Sequence, residues 1–254
     1  MYFLAILLKL RILEPGHPNQ SIEDAHEFLR LPPQVPPVMD AHLGERRVRV
    51  ALLRRDQEFV QVRLTCFSRG GCSPGDEVVQ ALAPGSELRY VGQKYIVESV
   101  DLTDPIWTGV GTWTDMLSQP PGVRMRFTFA TQLVTSDPAN RQVSNALPFP
   151  DPHTLFKSAL RHWRLLDGPL LPYTGAQMTQ VARCVVSEYR LETADYILAG
   201  QAHPGFIGWI EYVCRTRESS VIVSLNALAR LAFFSGSGYL TERGMGVTAV
   251  KITN

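Results

Sequence analysis

Four glycines, Gly236, Gly238, Gly244 and Gly246, fall within the eleven residues that close the stretch from Phe233 to Gly246. A helical pattern precedes them and a short apolar strand pattern follows. Glycine accepts positive φ and lets another backbone come close. A loop of this kind at a helix C-terminus either holds exposed N–H groups against phosphates or simply turns the chain from helix into strand. It is not a dinucleotide fingerprint, which needs strand, glycine-rich turn and then helix. Here the order is reversed.

The loop sits at the end of a regular alternation. Arg124 to Thr135 reads as a strand. Asp151-Pro152 caps an amphipathic helix through Leu155, Phe156, Leu160, Trp163 and Leu165. Val181 to Leu198 and Phe206 to Arg215 read as extended. Ser224 to Phe234 is helical, with Leu225, Leu228, Ala229 and Ala232 on its inner face, and Val247 to Ile252 closes the series. That is the βαββαβ order of a ferredoxin-like unit, a four-stranded antiparallel sheet with two helices on one face.

The first half gives a looser version of the same order. Met1 to Leu13 is strand-like. Ser21, Glu23 and Asp24 start a helix through Ile22, Ala25, His26 and Leu29, which Pro32, Pro33, Pro36 and Pro37 end. A second short helix is expected from about Pro37 to Leu43. Arg47 to Leu53 and Phe59 to Phe67 alternate as a hairpin, Ser73 to Val79 enters a helix, and Glu87 to Tyr90 pairs with Lys94 to Val100. The predicted fold is therefore α+β, two tandem ferredoxin-like (RRM-like) domains. One spans residues 1–112 and the other 123–254, with residues 113–122 as linker ending at Pro120-Pro121-Gly122. RNA-binding RRM proteins share this topology, but topology alone does not give function.

Charge narrows the partners little. The net charge is +1, yet Arg46, Arg47, Arg49, Arg54, Arg55, Arg63 and Arg69 are opposed locally only by Glu45, Asp56 and Glu58. Such a field either attracts a polyanion or is a solvated strand face, the reading adopted for Arg54 and Arg55. Cys66, Cys72, Cys184 and Cys214 form no CxxC pair, which reads as reduced thiols in a cytoplasmic protein. The N-terminal apolar run is interrupted by Lys9 and Arg11, so it reads as a buried strand, not a signal peptide or a membrane span. No His, Cys, Asp and Glu cluster has metal-ligand spacing, and neither a metal nor a cofactor is expected.

The segment Gly236-Ser237-Gly238-Tyr239-Leu240-Thr241-Glu242-Arg243-Gly244-Met245-Gly246 resembles the C-terminal signature of the CRISPR-associated repeat-processing endoribonucleases, the sixth Cas family. Phe127-Thr128-Phe129-Ala130-Thr131, Leu147-Pro148-Phe149-Pro150-Asp151-Pro152 and Gly205-Phe206-Ile207-Gly208 support the resemblance in order and distance. The N-terminal half matches weakly. The resemblance implies metal-independent cleavage of a precursor CRISPR transcript, leaving a 2′,3′-cyclic phosphate and a 5′-hydroxyl. It also implies CRISPR repeat RNA as partner, CRISPR effector complex subunits as further partners and no membrane, and it leaves a homodimer open. Family members often carry Lys or Arg where Leu240 stands, so Arg243 or backbone amides take over the phosphate contact.

Such cleavage needs a base for the 2′-hydroxyl, an acid for the leaving 5′-oxygen and a cation for the phosphorane. Histidine suits the first two roles and arginine the third. The resemblance places His42 as general base or acid, His26 as its partner, and Arg46 or Arg47 as the charge stabiliser. It assigns RNA binding to Gly236, Gly238, Tyr239, Arg243, Gly244 and Gly246. Arg161 and Arg164, three apart on one helix, either touch phosphates or form a solvated face. Tyr239 either stacks on a base or packs over the loop. His153 reads as first-turn surface, His162 as core edge or RNA-facing, and His17 and His203 as loop residues. Two rival readings stand beside the nuclease. One is an inactive RNA-binding subunit of a CRISPR effector complex. The other is a ligand-binding ferredoxin-like protein with no affinity for RNA.

Overall fold

The computed structural model describes residues 1–13, 42–43, 46–56, 58–69, 80, 82–90, 93–135, 149–173, 183–198 and 201–254. They divide into two compact units. The first is Met1–Thr112 with Ile197–Ala202 and Glu242–Gly244, and the second is Trp113–Tyr196 with His203–Thr241 and Met245–Asn254.

In the first unit, β1 (Tyr2–Ile12) is central because it is apolar on both faces, and Phe3 to Leu8 are all buried. It pairs antiparallel with β4 (Phe59–Ser68) on one side. On the other it pairs with β6 (Gln93–Asp101) along its second half and with β7 (Gly109–Thr112) along its first. Adding β2 (His42–Leu43), β3 (Arg46–Arg55) and β5 (Glu87–Tyr90), the sheet runs β2-β3-β4-β1-β6-β5. Within it, β3-β4-β1-β6 is the ferredoxin-like strand order. Leu4, Ile6, Leu8 and Leu10 share one face with Val60, Val62, Leu64 and Cys66, and Leu82, Leu88, Tyr95 and Val97 complete that core. On the opposite face Phe3 meets Phe67 edge to face at 5.8 Å.

The second unit is a complete βαββαβ set. Its sheet runs β11-β8-β10-β9, from β8 (Arg124–Leu133), β9 (Cys184–Leu198), β10 (Gln201–Cys214) and β11 (Thr248–Thr253). Strand β8 alternates strictly, with Met125, Phe127, Phe129, Thr131 and Leu133 buried. Helix α2 (Pro152–Leu165) follows β8, after the six-residue α1 (Trp113–Ser118), and α3 (Ser219–Ser235) follows β10. The Asp151 carboxylate accepts the Thr154 N–H at 3.0 Å and Pro152 opens α2, as the sequence predicts. Phe127 packs edge-on against Phe156 and Tyr212, which joins the helix to the sheet. Cys184 and Cys214 are buried on adjacent strands with their thiols hydrogen-bonded to each other. That bond holds the Cys214 thiol down at about 6 and pushes the Cys184 thiol up.

Residues 113–122, expected as the linker, group with the second unit. They hold α1, and Arg230 of α3 donates to the Met116 and Pro120 carbonyls at 2.8 Å each. The buried Asn226 side chain accepts from the Gly122 N–H at 2.7 Å and donates to its carbonyl at 3.0 Å. Satisfying these backbone groups ties the segment to α3. The helix expected to end at Leu43 is absent at that end, because His42–Leu43 is a strand paired with Arg46–Arg47. The ladder bonds of an adjoining strand override a weak local helical pattern. The helices expected from Ser21 and from Ser73 lie outside the described residues.

Candidate nucleic-acid interface

The first unit carries the residues expected to do chemistry. His42 stands directly opposite Arg47, and Leu43 opposite Arg46, in a hairpin only two residues long on each side. Strand β3 continues onto β4, with Arg46 opposite Ser68 and Arg47 opposite Phe67. The sheet thus fixes where the backbone presents His42, Arg46 and Arg47. His26 lies outside the described residues.

The arginine field is not uniform. Arg54 and Arg55 are exposed at the end of β3, as a solvated face requires. Arg49 lies over the Phe67 ring at 5.4 Å. Arg63 is only 3% exposed and its Nε donates to the Trp107 carbonyl at 2.7 Å. Burial pulls its pKa down to about 9. A guanidinium so enclosed offers nothing to a polyanion, so Arg63 leaves the surface field and belongs to the fold.

The glycine loop departs from expectation more sharply. Its glycines do have positive φ, at 73° for Gly236, 81° for Gly238, 74° for Gly244 and 62° for Gly246. Leu240 shares that region at 56°. The amides, however, are not bare. Gly236 N–H donates to the Ala232 carbonyl, Ser237 N–H to Gly246, Tyr239 N–H to Val134, Met245 N–H to Leu240 and Gly246 N–H to Gln132. Val247 N–H donates to Thr131 Oγ1. Thr248 Oγ1 donates to the Gly246 carbonyl at 2.7 Å and Ser158 Oγ to the Gly238 carbonyl at 2.7 Å. A Cβ on Gly238 would stand 2.4 Å from the Val134 carbonyl oxygen, and one on Gly246 still nearer the Ser237 oxygen. The glycines at 236, 238 and 246 therefore serve close packing, with the Gly236 and Gly246 amides spent inside the fold. Within the first unit, Gly244 lies against Val50 and Ala51, where a Cβ would meet both at 3.2 Å.

Around the loop, Arg161 and Tyr239 are brought together. The Arg161 guanidinium lies 5.6 Å from the Tyr239 ring centre, and Tyr239 is half-buried beside Val134. Arg161 and Arg164 are both exposed on α2. His162 points the other way, buried, with Nε2 3.1 Å from Thr241 Oγ1. That places it in the core and not against RNA. Lys157 was not singled out from the sequence. It is exposed one turn before Arg161, and the spacing of four would have found it.

On the uncovered side of the second sheet, Arg126 stacks on Trp209 at 4.1 Å and pairs with Glu211 at 3.2 Å and Glu188 at 3.4 Å. Arg124 pairs with Glu211 at 3.0 Å. Burial raises the Glu211 pKa, but hydrogen bonds from Ser187 and Arg124 and the Arg126 charge outweigh it, so the carboxylate titrates below its usual range. Among the described residues no three His, Cys, Asp or Glu side chains converge as metal ligands. No helix among them is long and apolar enough to cross a membrane.

In class this is a tandem ferredoxin-like protein with a glycine-rich loop closing its second unit. Residues 125–248 match the family model of CRISPR-associated endoribonuclease Cas6. The whole chain also superposes on solved Cas6 structures. A Cas6 product complex is 24% identical, with 98% of this chain and 99% of that chain covered at a TM-score of 0.75. A second Cas6 product complex is 21% identical, with 99% and 100% covered at 0.70. A Thermus thermophilus Cas6 is 22% identical, with 98% of each chain covered at 0.71. At these identities the structural likeness is one of fold. No curated protein matches the sequence. The second half of the chain therefore matches the Cas6 family of CRISPR-associated endoribonucleases, and the whole chain shares the fold of solved Cas6 structures.

Proposed function

We propose that this chain cleaves precursor CRISPR RNA within its repeats in the cytoplasm, without a metal, and keeps hold of the processed guide RNA. Residues 1–112 carry the chemistry and residues 123–254 contribute RNA binding. The observation that supports this most is the register of His42 against Arg47. Directly opposed residues of an antiparallel pair are neighbours in the ladder, and on this reading both act on one phosphodiester.

The 2′-hydroxyl loses its proton to a general base, and its oxygen attacks phosphorus. The bond to the 5′-oxygen breaks, and a general acid returns a proton to that oxygen. The products are a 2′,3′-cyclic phosphate and a 5′-hydroxyl. His42 supplies one proton transfer and His26 is the candidate for the other. Arg47 or Arg46 offsets the phosphorane charge with forked donors. Tyr239, Arg161 and Arg164 of the second unit and Arg243 of the first are the RNA-contacting side chains, and the glycines shape the loop that carries Tyr239 and Arg243.

Incubating the full chain with its cognate repeat RNA in EDTA tests this reading. Product with a cyclic phosphate is expected, with a bell-shaped rate profile and a loss of roughly 100-fold or more in His42→Ala. Cleavage by His42→Ala at the wild-type rate, or no cleavage by wild type, rejects it.

A second reading has its own support. The family match spans residues 125–248 and leaves His42, Arg46 and Arg47 outside it. An RNA-binding subunit of an effector complex, without turnover, fits that division. Tight binding of a repeat that stays intact would favour it.

A further inference from the structure

We propose that one exposed face of α2, formed by His153, Lys157, Arg161 and Arg164, is a track for RNA phosphates that binds without regard to base sequence. This rests on the reading that the chain handles RNA, and it says which surface supplies the sequence-independent part of the affinity.

The first argument is spacing. The four positions are separated by four, four and three residues on one continuous helix. At 3.6 residues per turn, a step of four advances only about 40° around the axis, and Arg164 falls back between His153 and Lys157. All four therefore lie within an arc of about 80° and along roughly 16 Å of axis. That is long enough to follow several successive phosphates of one strand. All four are exposed, while Leu155, Phe156, Ser158, Ala159, His162 and Trp163 form the buried side.

The second argument is charge balance. Residues 152–165 contain no Asp or Glu. The N-capping Asp151 is engaged with Thr154. Among the described residues Lys157, Arg161 and Arg164 form no ion pair. An ordinary solvated helix face intersperses acids at i±4, because like charges at that spacing are destabilising. The helix dipole favours Arg164 in the last turn but gives no such support to Lys157 in the second. The contrast within the same unit is direct, since Arg124 and Arg126 on the sheet are neutralised by Glu211 and Glu188. A stripe with no acid on its own helix to balance it fits a polyanion.

The third argument is preorganisation. The Tyr239 ring beside Arg161 steadies the guanidinium by cation–π attraction while the guanidinium itself stays exposed. The inner side of the same helix is fastened to the loop through Ser158 and His162. The stripe therefore stands on a rigid support.

The test uses the full chain with two probes of equal length, an RNA hairpin and an unstructured oligouridine, titrated over a series of salt concentrations. Lys157→Gln, Arg161→Gln and Arg164→Gln should each weaken both probes several-fold at low salt. Each should also flatten the slope of log K against log salt by about 0.7 to 0.9. Lys157→Arg should keep the wild-type slope, which separates charge from packing. An unchanged slope in all three Gln variants, or a loss confined to one probe, overturns the track. If RNA stays uncut but the slopes flatten, the track stands and the nuclease reading fails. If RNA is cut and the slopes do not move, the nuclease reading stands and the track fails.

Discussion

His162 Nε2 lies 3.1 Å from Thr241 Oγ1, with both side chains buried. This bond runs from the inner side of α2 to the glycine loop, parallel to the one from Ser158 Oγ to the Gly238 carbonyl. His162→Leu keeps most of the volume but removes this hydrogen bond. A loss of about 1 kcal/mol is expected in urea unfolding. Stability equal to wild type would show that the loop does not depend on this helix.

Two glycines of similar φ should respond very differently to alanine. At Gly85, with φ of 92°, an added Cβ meets nothing within 4 Å, so only the left-handed backbone opposes it, at about 1–2 kcal/mol. At Gly246, with φ of 62°, the Cβ runs into the Ser237 carbonyl oxygen, which is backbone and cannot rotate away. Gly246→Ala should cost clearly more than Gly85→Ala, by about 2 kcal/mol or above. Equal midpoints for the two variants in thermal unfolding would contradict the close packing of the loop.

Asn226 is fully buried and holds both backbone groups of Gly122. Asn226→Leu removes the partner of an N–H and of a carbonyl that water does not reach. A loss of about 2–4 kcal/mol follows from leaving two such groups unmade. Hydrogen exchange at the Gly122 amide should accelerate in the variant, and continued slow exchange would count against this role.

The Glu211 carboxylate links Arg124 and Arg126 and titrates below its ordinary range. A lowered folded-state pKa means the unfolded chain takes up the proton first as pH falls. The stabilisation is complete above the unfolded carboxylate pKa and disappears as pH drops through the lower, folded value. Its partners are partly exposed, so its size is about 1 kcal/mol at neutral pH. Glu211→Gln should lose that amount at pH 7 and converge on wild type in acid. A difference that grows in acid has the wrong sign.

Where a pattern is local, it can be read before any fold is known. Asp151-Pro152 announces the start of α2 because the capping carboxylate and the fixed proline φ act within three residues. The alternation of Met125, Phe127, Phe129 and Leu133 announces a half-buried strand for the same reason. His42 fails this test, since its strand depends on Arg46–Arg47 pairing back and on β4 beyond. Arg63 reads as one arginine among seven, and only the cover over its face of the sheet turns it into an interior residue.

The order of elements, and with it the tandem ferredoxin-like architecture, came from the sequence alone, because period, caps and turn residues are short-range properties. The same holds for the glycine signature that pointed to the family. Tertiary structure decided how those glycines are used. Amides that look available in a linear string are taken by Ala232, Val134 and Gln132 once the loop folds against α3 and β8. It also decided which cations face water, since Lys157, Arg161 and Arg164 form a stripe only when the apolar side of their helix is buried. Exposure and hydrogen-bond occupancy depend on partners distant in the chain, and those partners exist only after packing.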